Sequence, residues 1–120
     1  MSWVDVVRWD ALPIDRGVAA IVGDDLVAVF RLADDEVLAI DHVDPFSGVP
    51  VLARGLVGCV QERPVVFSPL DKKRFDLRTG ECLDDPKRPV RTWAVDIIDG
   101  VVLVAATAAL PRGSAVTAVA

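Results

Sequence analysis

The residues whose side chains are suited to chemistry gather in two stretches of the sequence, 41–55 and 65–77. The first stretch places His42 between two aspartates, and the second places Ser68 three residues before Asp71. Carboxylates and an imidazole can hold a metal ion, but His42 is the only histidine. A non-haem iron triad needs two histidines, and catalytic zinc usually takes two or three. Nothing places a nucleophile beside His42 with an orienting group, as nucleophilic catalysis requires. The residue types therefore predict neither a metal centre nor a catalytic centre.

Length, composition and charge narrow the class of protein. The chain has 120 residues, of which 52% are hydrophobic and 26% charged, so one packed domain is expected. The net charge of −5 argues against nucleic acid and against an anionic membrane as partners, since both need surplus lysine and arginine. No apolar run reaches the roughly 18 to 20 residues of a membrane helix. The N-terminus has no signal-peptide pattern, so we expect a cytoplasmic protein in which Cys59 and Cys82 are free thiols.

Alternation of valine and isoleucine with polar residues predicts an all-β fold of about eight to ten strands. Short turn signals such as Gly23-Asp24-Asp25 and Asp99-Gly100 join neighbouring strands and indicate an antiparallel meander. The predicted strands cover residues 3–9, 17–22, 26–32, 36–40, 64–68, 74–77, 91–98 and 101–105.

Two segments interrupt the strand pattern, and loops of this kind are where all-β scaffolds usually carry function. Residues 41–58 contain two prolines and three glycines and predict one long irregular segment. Residues 68–73 predict a second loop, and the charged residues 84–89 predict a further connection. We expect one domain over residues 1–106 and a flexible tail over residues 107–120.

The two loop segments and the turn that follows them resemble those of Rieske ferredoxin domains. Such domains carry Cys-Pro-His…Gly in the first loop and Cys-Pro-x-His…Phe-Asp-x-x-x-Gly in the second. The matching positions in this chain are Pro45, Gly48, Gly55, Pro69, Phe75, Asp76 and Gly80. The resemblance extends over about residues 3–105 and implies a Rieske-like antiparallel β-sandwich with both long loops at one tip.

The four cluster-ligand positions of that pattern carry other residues here. The two cysteine positions hold Asp44 and Ser68, and the two histidine positions hold Phe46 and Asp71. A Rieske centre needs two thiolates on one iron and two imidazoles on the other. Phe46 has no donor atom, and carboxylates favour harder metals, so no cluster and no other metal is expected. Asp44 has the type and the position of a residue that caps a turn before proline.

Three linked motifs are similar to one family of cluster-free Rieske-like domains, the small subunits of assimilatory NAD(P)H-dependent nitrite reductases. The motifs are Asp44–Gly48, Ser68–Leu77 and Gly80–Asp85. The resemblance implies an accessory subunit that performs no catalysis by itself. It also implies a large partner subunit that carries FAD, an iron–sulfur cluster and sirohaem, and that reduces nitrite to ammonium.

The tips of both loops are the expected docking surface for that partner. The candidate contact residues are His42, Pro45, Phe46, Ser47, Leu70, Lys72, Lys73 and Arg74. Basic residues at a loop tip suit an electrostatic contact, although most charge runs are simply solvated turns. Phe46 either fills the space of the absent cluster or stands exposed as an aromatic anchor.

Two other functions stay open at the level of the sequence. One is a ferredoxin-like electron carrier in which Asp44, Asp71 and a thiol bind iron in an unconventional way. The other is a small-molecule binding domain that uses the space between the loops. Iron content and visible absorbance test the first function, and ligand-induced thermal stabilisation tests the second.

Overall fold

A computed structural model describes residues 2–109, which form ten strands and two short 3-10 turns. The strands are β1 (Trp3–Arg8), β2 (Arg16–Val22), β3 (Asp25–Arg31), β4 (Val37–Asp41), β5 (Leu56–Val60), β6 (Arg63–Phe67), β7 (Arg74–Asp76), β8 (Thr92–Trp93), β9 (Val95–Ile98) and β10 (Val101–Ala105). The 3-10 turns cover Trp9–Ala11 and Leu52–Arg54. All pairings between these strands are antiparallel, and they build three sheets with the orders β1-β10-β9, β2-β3-β4-β8 and β5-β6-β7. The all-β prediction is confirmed.

The sheet β2-β3-β4-β8 lies in the middle of the molecule, and its strand β3 is buried on both faces. Val27 and Val29 belong to one apolar core, whereas the alternate residues Ala28 and Phe30 belong to the other. Successive side chains of a strand face opposite sides of a sheet. A strand between two cores must therefore be apolar at consecutive positions, which accounts for the unbroken apolar sequence of residues 27–30.

Two cores cover the opposite faces of the middle sheet. The first core includes Trp93 and Val102 and packs the sheet β1-β10-β9 onto one face. The second core includes Phe75 and packs the sheet β5-β6-β7 onto the other. A fully buried side chain of this kind contributes about 1.5–3 kcal/mol. The second core also reaches the first long loop through Leu52 and the partly buried Phe46, so it positions the candidate site.

Two predicted hairpin turns are confirmed. Gly23, with a φ of 62°, lies in the two-residue turn between β2 and β3. Asp99 and Gly100, with φ values of 53° and 76°, form the turn between β9 and β10. Positive φ at both central residues marks a type I′ turn, whose twist suits the flanking strands and which favours Asp-Gly.

The structure corrects the prediction of one irregular segment over residues 41–58. The end of that segment forms strand β5, which pairs along its length with β6. The turn between them is Gln61-Glu62, whose positive φ values of 50° and 66° are adopted without glycine or asparagine. The usual sequence signal for a tight hairpin is therefore missing. In the sequence, Gly55 has the character of a loop glycine. In the structure it allows the backbone to approach β6 closely, because a Cβ there would lie 2.4 Å from the Phe67 carbonyl oxygen.

The predicted strand over residues 91–98 is in fact two strands that belong to different sheets. β8 pairs with β4 in the middle sheet, and β9 pairs with β10 in the outer sheet. The chain thus crosses between sheets at Ala94, a change of partner that alternation along the sequence does not reveal. At the other end, the predicted strand 3–9 stops at Arg8, and Trp9 opens a 3-10 turn.

Backbone pairing continues as far as Ala109, past the predicted domain end at residue 106. The Ala109 N–H donates to the Thr92 carbonyl oxygen at 2.7 Å. Residues 110–120 of the predicted tail lie outside the described residues. Within residues 2–109, none of the helical turns has the length and apolar character needed to cross a membrane.

Candidate functional site

The first long loop is anchored by His42, whose side chain is only 6% exposed. Its carbonyl oxygen accepts the N–H groups of Val51 and Leu52, both at 3.0 Å. Its Nδ1 accepts the Ala53 N–H at 3.1 Å, which requires this ring nitrogen to be unprotonated. Burial lowers the pKa of His42, and the nearby charge of Arg54 lowers it further. The imidazole therefore supports the loop from inside, and its role as a partner contact stays a prediction.

Asp44 closes the tip of the first loop and is completely buried. Its Oδ1 accepts the Phe46 N–H at 2.8 Å, and its carbonyl oxygen accepts the Gly48 N–H at 2.7 Å. Gly48 adopts a φ of 73°, which a residue with a side chain rarely does. Asp44 therefore caps the turn, and the glycine lets the chain reverse.

Ser68 opens the second loop and joins it to the first. The Ser68 hydroxyl donates to Asp44 Oδ2 at 2.6 Å, in a buried contact between residues 24 apart in sequence. Its backbone N–H donates to the Lys73 carbonyl oxygen, and its carbonyl oxygen accepts the Lys72 N–H, each at 2.9 Å. Ser68 thus holds the second loop closed and fastens it to the Asp44 carboxylate.

Asp71 is the second carboxyl group at the tip and lies beside Asp44, close enough for each carboxyl group to shift the pKa of the other. Its Oδ1 accepts the Lys73 N–H at 3.1 Å. Its Oδ2 is buried and has no N–H or hydroxyl donor in the described part of the chain. A proton on Asp71 would let it donate to Asp44 and remove the repulsion of two neighbouring anions. We call Asp44 and Asp71 the acid pair.

The surroundings move the pKa values of the acid pair apart. Burial raises the pKa of Asp71, and the hydrogen bond to Asp44 and the charge of Asp44 raise it further. Burial also disfavours the charged form of Asp44, but hydrogen bonds from Ser68, Asp71 and the backbone outweigh it and lower its pKa. Of the pair, Asp44 therefore loses its proton first as pH rises, and Asp71 retains its proton to a higher pH.

Phe46 fills the tip between the two loops. The ring is half-buried and packs on the second core, with its centroid 6.2 Å from that of Phe75. The Lys73 ammonium nitrogen lies 5.2 Å from the ring centroid, and the Arg88 guanidinium carbon lies 5.4 Å from it. The ring thus occupies apolar space on one side and carries two cations around its exposed part.

The remaining predicted contact residues differ in how free they are. Leu70 is 56% exposed, and Lys72 and Ser47 are exposed as well. Pro45 is half-buried. Arg74 is engaged by Asp84, with Nη2 2.8 Å from Oδ1. The structure therefore brings both predicted loops together, and the free side chains are those at the tip of the second loop.

Sequence reasoning missed Arg88, which comes from the connection over residues 84–89. Its Nη1 donates to the Pro45 carbonyl oxygen at 3.2 Å, across 43 residues of sequence. The charge and the prolines of that connection predict a loop, but no local signal tells onto which part of the molecule the loop folds.

The Phe-Asp motif of the second region is a structural turn below the tip. Asp76 is 3% exposed and accepts the N–H groups of Arg78 and Thr79 at 2.7 and 3.0 Å. Its Oδ2 also accepts Arg63 Nε at 2.7 Å. A Cβ on Gly80, which has a φ of 80°, would lie 2.2 Å from the Val90 carbonyl oxygen. The Phe-Asp motif therefore has a structural role, which is to close a tight turn.

A family model for the Rieske-like [2Fe-2S] domain matches residues 2–105. The NADH nitrite reductase small subunit of Escherichia coli K12 is 41% identical over 102 residues, which are 84% of this chain and 94% of that protein. The chain belongs to the nitrite reductase small-subunit family of Rieske-like domains. A crystal structure from Mycobacterium tuberculosis, named as an NADH-dependent nitrite reductase small subunit, is 39% identical. It superposes with a TM-score of 0.84 over 91% of this chain and 96% of that one.

A second relative places the same domain inside a longer protein. The nitrite reductase [NAD(P)H] large subunit of Klebsiella oxytoca is 38% identical over 113 residues. Those residues are 94% of this chain but only 12% of the Klebsiella protein. A segment similar to this chain therefore occurs within a longer polypeptide that is named as a nitrite reductase large subunit.

The tip does not fit the [2Fe-2S] cluster for which the Rieske-like family is named. Phe46 offers no donor, and both oxygens of Asp44 already accept hydrogen bonds at the tip. Within residues 2–109, no three histidine, cysteine, aspartate or glutamate side chains are arranged to hold a metal ion. Cys59 is exposed on β5, while Cys82 is buried in the second core and its burial raises the pKa of the thiol. This member of the small-subunit family thus has the Rieske-like fold, but the residues at its tip are not those that hold a cluster.

Proposed function

We propose that this chain is the accessory small subunit of an NAD(P)H-dependent nitrite reductase and that it docks on the large subunit through residues 42–50 and 68–74. The large subunit would carry FAD, an iron–sulfur cluster and sirohaem, and would reduce nitrite to ammonium. The small subunit would hold no cofactor and would perform no catalysis by itself. We place the assembly in the cytoplasm.

One observation carries this proposal: the cluster loops are kept while their ligand positions are bonded to one another. Ser68 donates to Asp44, and Asp71 lies against Asp44. The two loops carry no cluster ligands, but they are held together by these contacts. They can therefore serve as a preformed recognition surface, because loops that are already ordered lose little conformational entropy when a partner binds.

The Klebsiella relative supports the choice of partner. In that protein, a segment similar to nearly all of this chain shares one polypeptide with the rest of a nitrite reductase large subunit. Covalent linkage keeps two domains at a high effective concentration and favours their contact. We infer that the separate chain meets the same surface by non-covalent association.

Co-purification tests the proposal directly. A tagged form of the chain would be expressed in its own cells, grown on nitrate or nitrite as the nitrogen source. The expected result is recovery of a large protein whose mass identifies it as the nitrite reductase subunit and whose spectrum contains flavin and sirohaem. Recovery of the tagged chain alone, from cells that contain active nitrite reductase, would overturn the proposal.

A matched pair of variants tests where the chain docks. Leu70→Asp places a charge at the tip of the second loop, where the native side chain is 56% exposed. Ile98→Asp makes the same change on β9 of the outer sheet, where the side chain is 52% exposed. Buried apolar anchors carry most of the energy of an interface. We expect Leu70→Asp to reduce recovery of the large subunit at least tenfold and Ile98→Asp to leave it unchanged; equal effects would contradict the assigned surface.

A further inference from the structure

Three loops, rather than the two predicted from the sequence, meet at the tip. The connection over residues 84–89 folds across the first loop and is fixed there by the hydrogen bond from Arg88 to the Pro45 carbonyl oxygen. This contact brings Arg88 to the exposed part of Phe46, beside which Lys73 of the second loop also lies. We call residues 42–50, 68–74 and 84–89 the three-loop face.

Most cations of this face lack the ion pairs that most arginines of the described residues form. Six arginines of the described residues form ion pairs: Arg8, Arg31, Arg63, Arg74, Arg78 and Arg91. By contrast, Lys72, Lys73, Lys87 and Arg88 form no ion pair with any residue between 2 and 109. Arg16 and Arg54 are also without an ion pair among the described residues, so four of the six unpaired cations lie on the three-loop face of a chain whose net charge is −5.

The carboxylates of the same three loops are already engaged. Asp44 and Asp71 form the acid pair, of which Asp44 is buried and Asp71 is half-buried, and Asp84 binds Arg74. Asp85 accepts the Lys87 N–H at 3.0 Å. None of these carboxylates forms an ion pair with Lys73 or Arg88, so an acidic group from outside would meet two cations that have no ion-pair partner among residues 2–109.

We propose that Lys73 and Arg88 receive a carboxylate from an acidic surface of the nitrite reductase large subunit. Both cations lie against the Phe46 ring, which removes water from one side of each and restricts its movement. An acidic partner supplies the charge complementarity that this face lacks within its own chain. The inference rests on the proposed function and specifies the chemistry of the partner surface.

The experiment measures association of the intact chain with the purified large subunit at several salt concentrations. Lys73→Gln and Arg88→Gln are introduced together, which removes two positive charges from the face. Charge pairs at an interface act mainly on the association rate, so this rate should fall on the order of tenfold at low salt. Its dependence on salt should become weaker, while the dissociation rate changes less.

Two further variants control for net charge and for shape. Arg8→Gln with Arg16→Gln removes the same number of charges from exposed sites on β1 and β2 and should leave association near the wild-type rate. Lys73→Arg with Arg88→Lys keeps both charges and should retain the salt dependence. A Lys73→Gln/Arg88→Gln variant with wild-type salt dependence would overturn this inference while leaving the proposed function standing. Absence of binding by the wild-type chain would instead contradict the proposed function.

Discussion

Two buried aspartates hold two turns of this molecule by different means. Asp76, in the turn below the tip, accepts two backbone N–H groups and the guanidinium of Arg63. Asp44, at the tip itself, accepts one backbone N–H and the hydroxyl of Ser68, and it faces a second carboxyl group, Asp71. The first carboxylate is balanced by a cation, whereas the second accepts hydrogen bonds from neutral donors and lies beside a carboxyl group whose pKa is raised.

This difference between Asp76 and Asp44 separates the residues that support the fold from those at the cluster-ligand positions. The Asp76 turn belongs to the Phe-Asp motif that matches cluster-binding domains, and its geometry has no connection with iron. The Asp44 network occupies the ligand positions, and its donors and acceptors satisfy one another. A Rieske-like fold can therefore keep the conformation of its two loops without a cluster, provided that the residues at the ligand positions bond to each other across the loops.

The largest effect should come from removing the charge-balanced carboxylate. Asp76→Ala leaves two turn N–H groups and Arg63 without their acceptor, so the free energy of unfolding should fall by about 2–4 kcal/mol. Urea denaturation measures the change. Asp84→Ala serves as the matched control, because it also removes a carboxylate that binds an arginine but does so at an exposed site. If both variants lose equal stability, the Asp76 turn does not have the structural importance assigned to it.

A smaller effect should follow from removing the hydroxyl that joins the two loops. Ser68→Ala deprives the buried Asp44 carboxylate of one donor, and the free energy of unfolding should fall by about 1–2 kcal/mol. Ser47→Ala is the control, since that hydroxyl accepts the Val49 N–H at an exposed position of the first loop. A Ser68→Ala variant as stable as Ser47→Ala would show that the contact between the loops contributes little.

The smallest effect, and the most specific to the tip, is a dependence of stability on pH. The pKa of Asp71 is raised in the folded chain, so the folded state holds this proton more tightly than the unfolded state. The stabilisation from Asp71 is therefore complete below the ordinary pKa of aspartate and is lost as pH rises through the raised pKa. Asp76 behaves in the opposite way, because burial is outweighed by the bond to Arg63 and by backbone N–H groups, and its pKa is lowered. Its contribution is present above the ordinary pKa and is lost on acidification through the lowered one.

Asp71→Asn separates these two contributions. The amide can donate to Asp44 at every pH, so the decline in unfolding free energy as pH rises above the ordinary pKa of aspartate should be shallower than in the wild type. The loss of stability at lower pH, which involves Asp76, should be retained. Chemical denaturation across this pH range makes the comparison, and identical profiles would argue against a shared proton at the tip.

Much of the fold could be predicted from neighbouring residues. The hairpin at Asp99-Gly100 and the apolar sequence of residues 27–30 follow from turn chemistry and strand periodicity. Strand β5 was the main error, because the Gln61-Glu62 turn adopts positive φ without the residues that usually signal it. The change of sheet at Ala94 was also missed, since periodicity records that a strand exists and not which strand it pairs with.

The candidate site, like the fold, could be predicted only in part. The loops could be identified from their composition, and the four ligand positions with their unsuitable residue types from the resemblance of the loop motifs to Rieske domains. The roles of the residues could not. Nothing in the sequence shows that the His42 imidazole accepts the Ala53 N–H, and Arg88 was absent from the predicted surface although it lies on Phe46.

By itself, the amino-acid sequence determined the class of fold, the absence of cluster ligands and the resemblance to nitrite reductase small subunits. These depend on residue type and on spacing within short segments, which the sequence states directly. Only the tertiary structure decided that Ser68 binds Asp44, that Asp71 lies beside Asp44 and that Arg88 joins the tip. Those contacts link residues as far as 43 positions apart, and they form only after both cores have packed and brought three loops to one place.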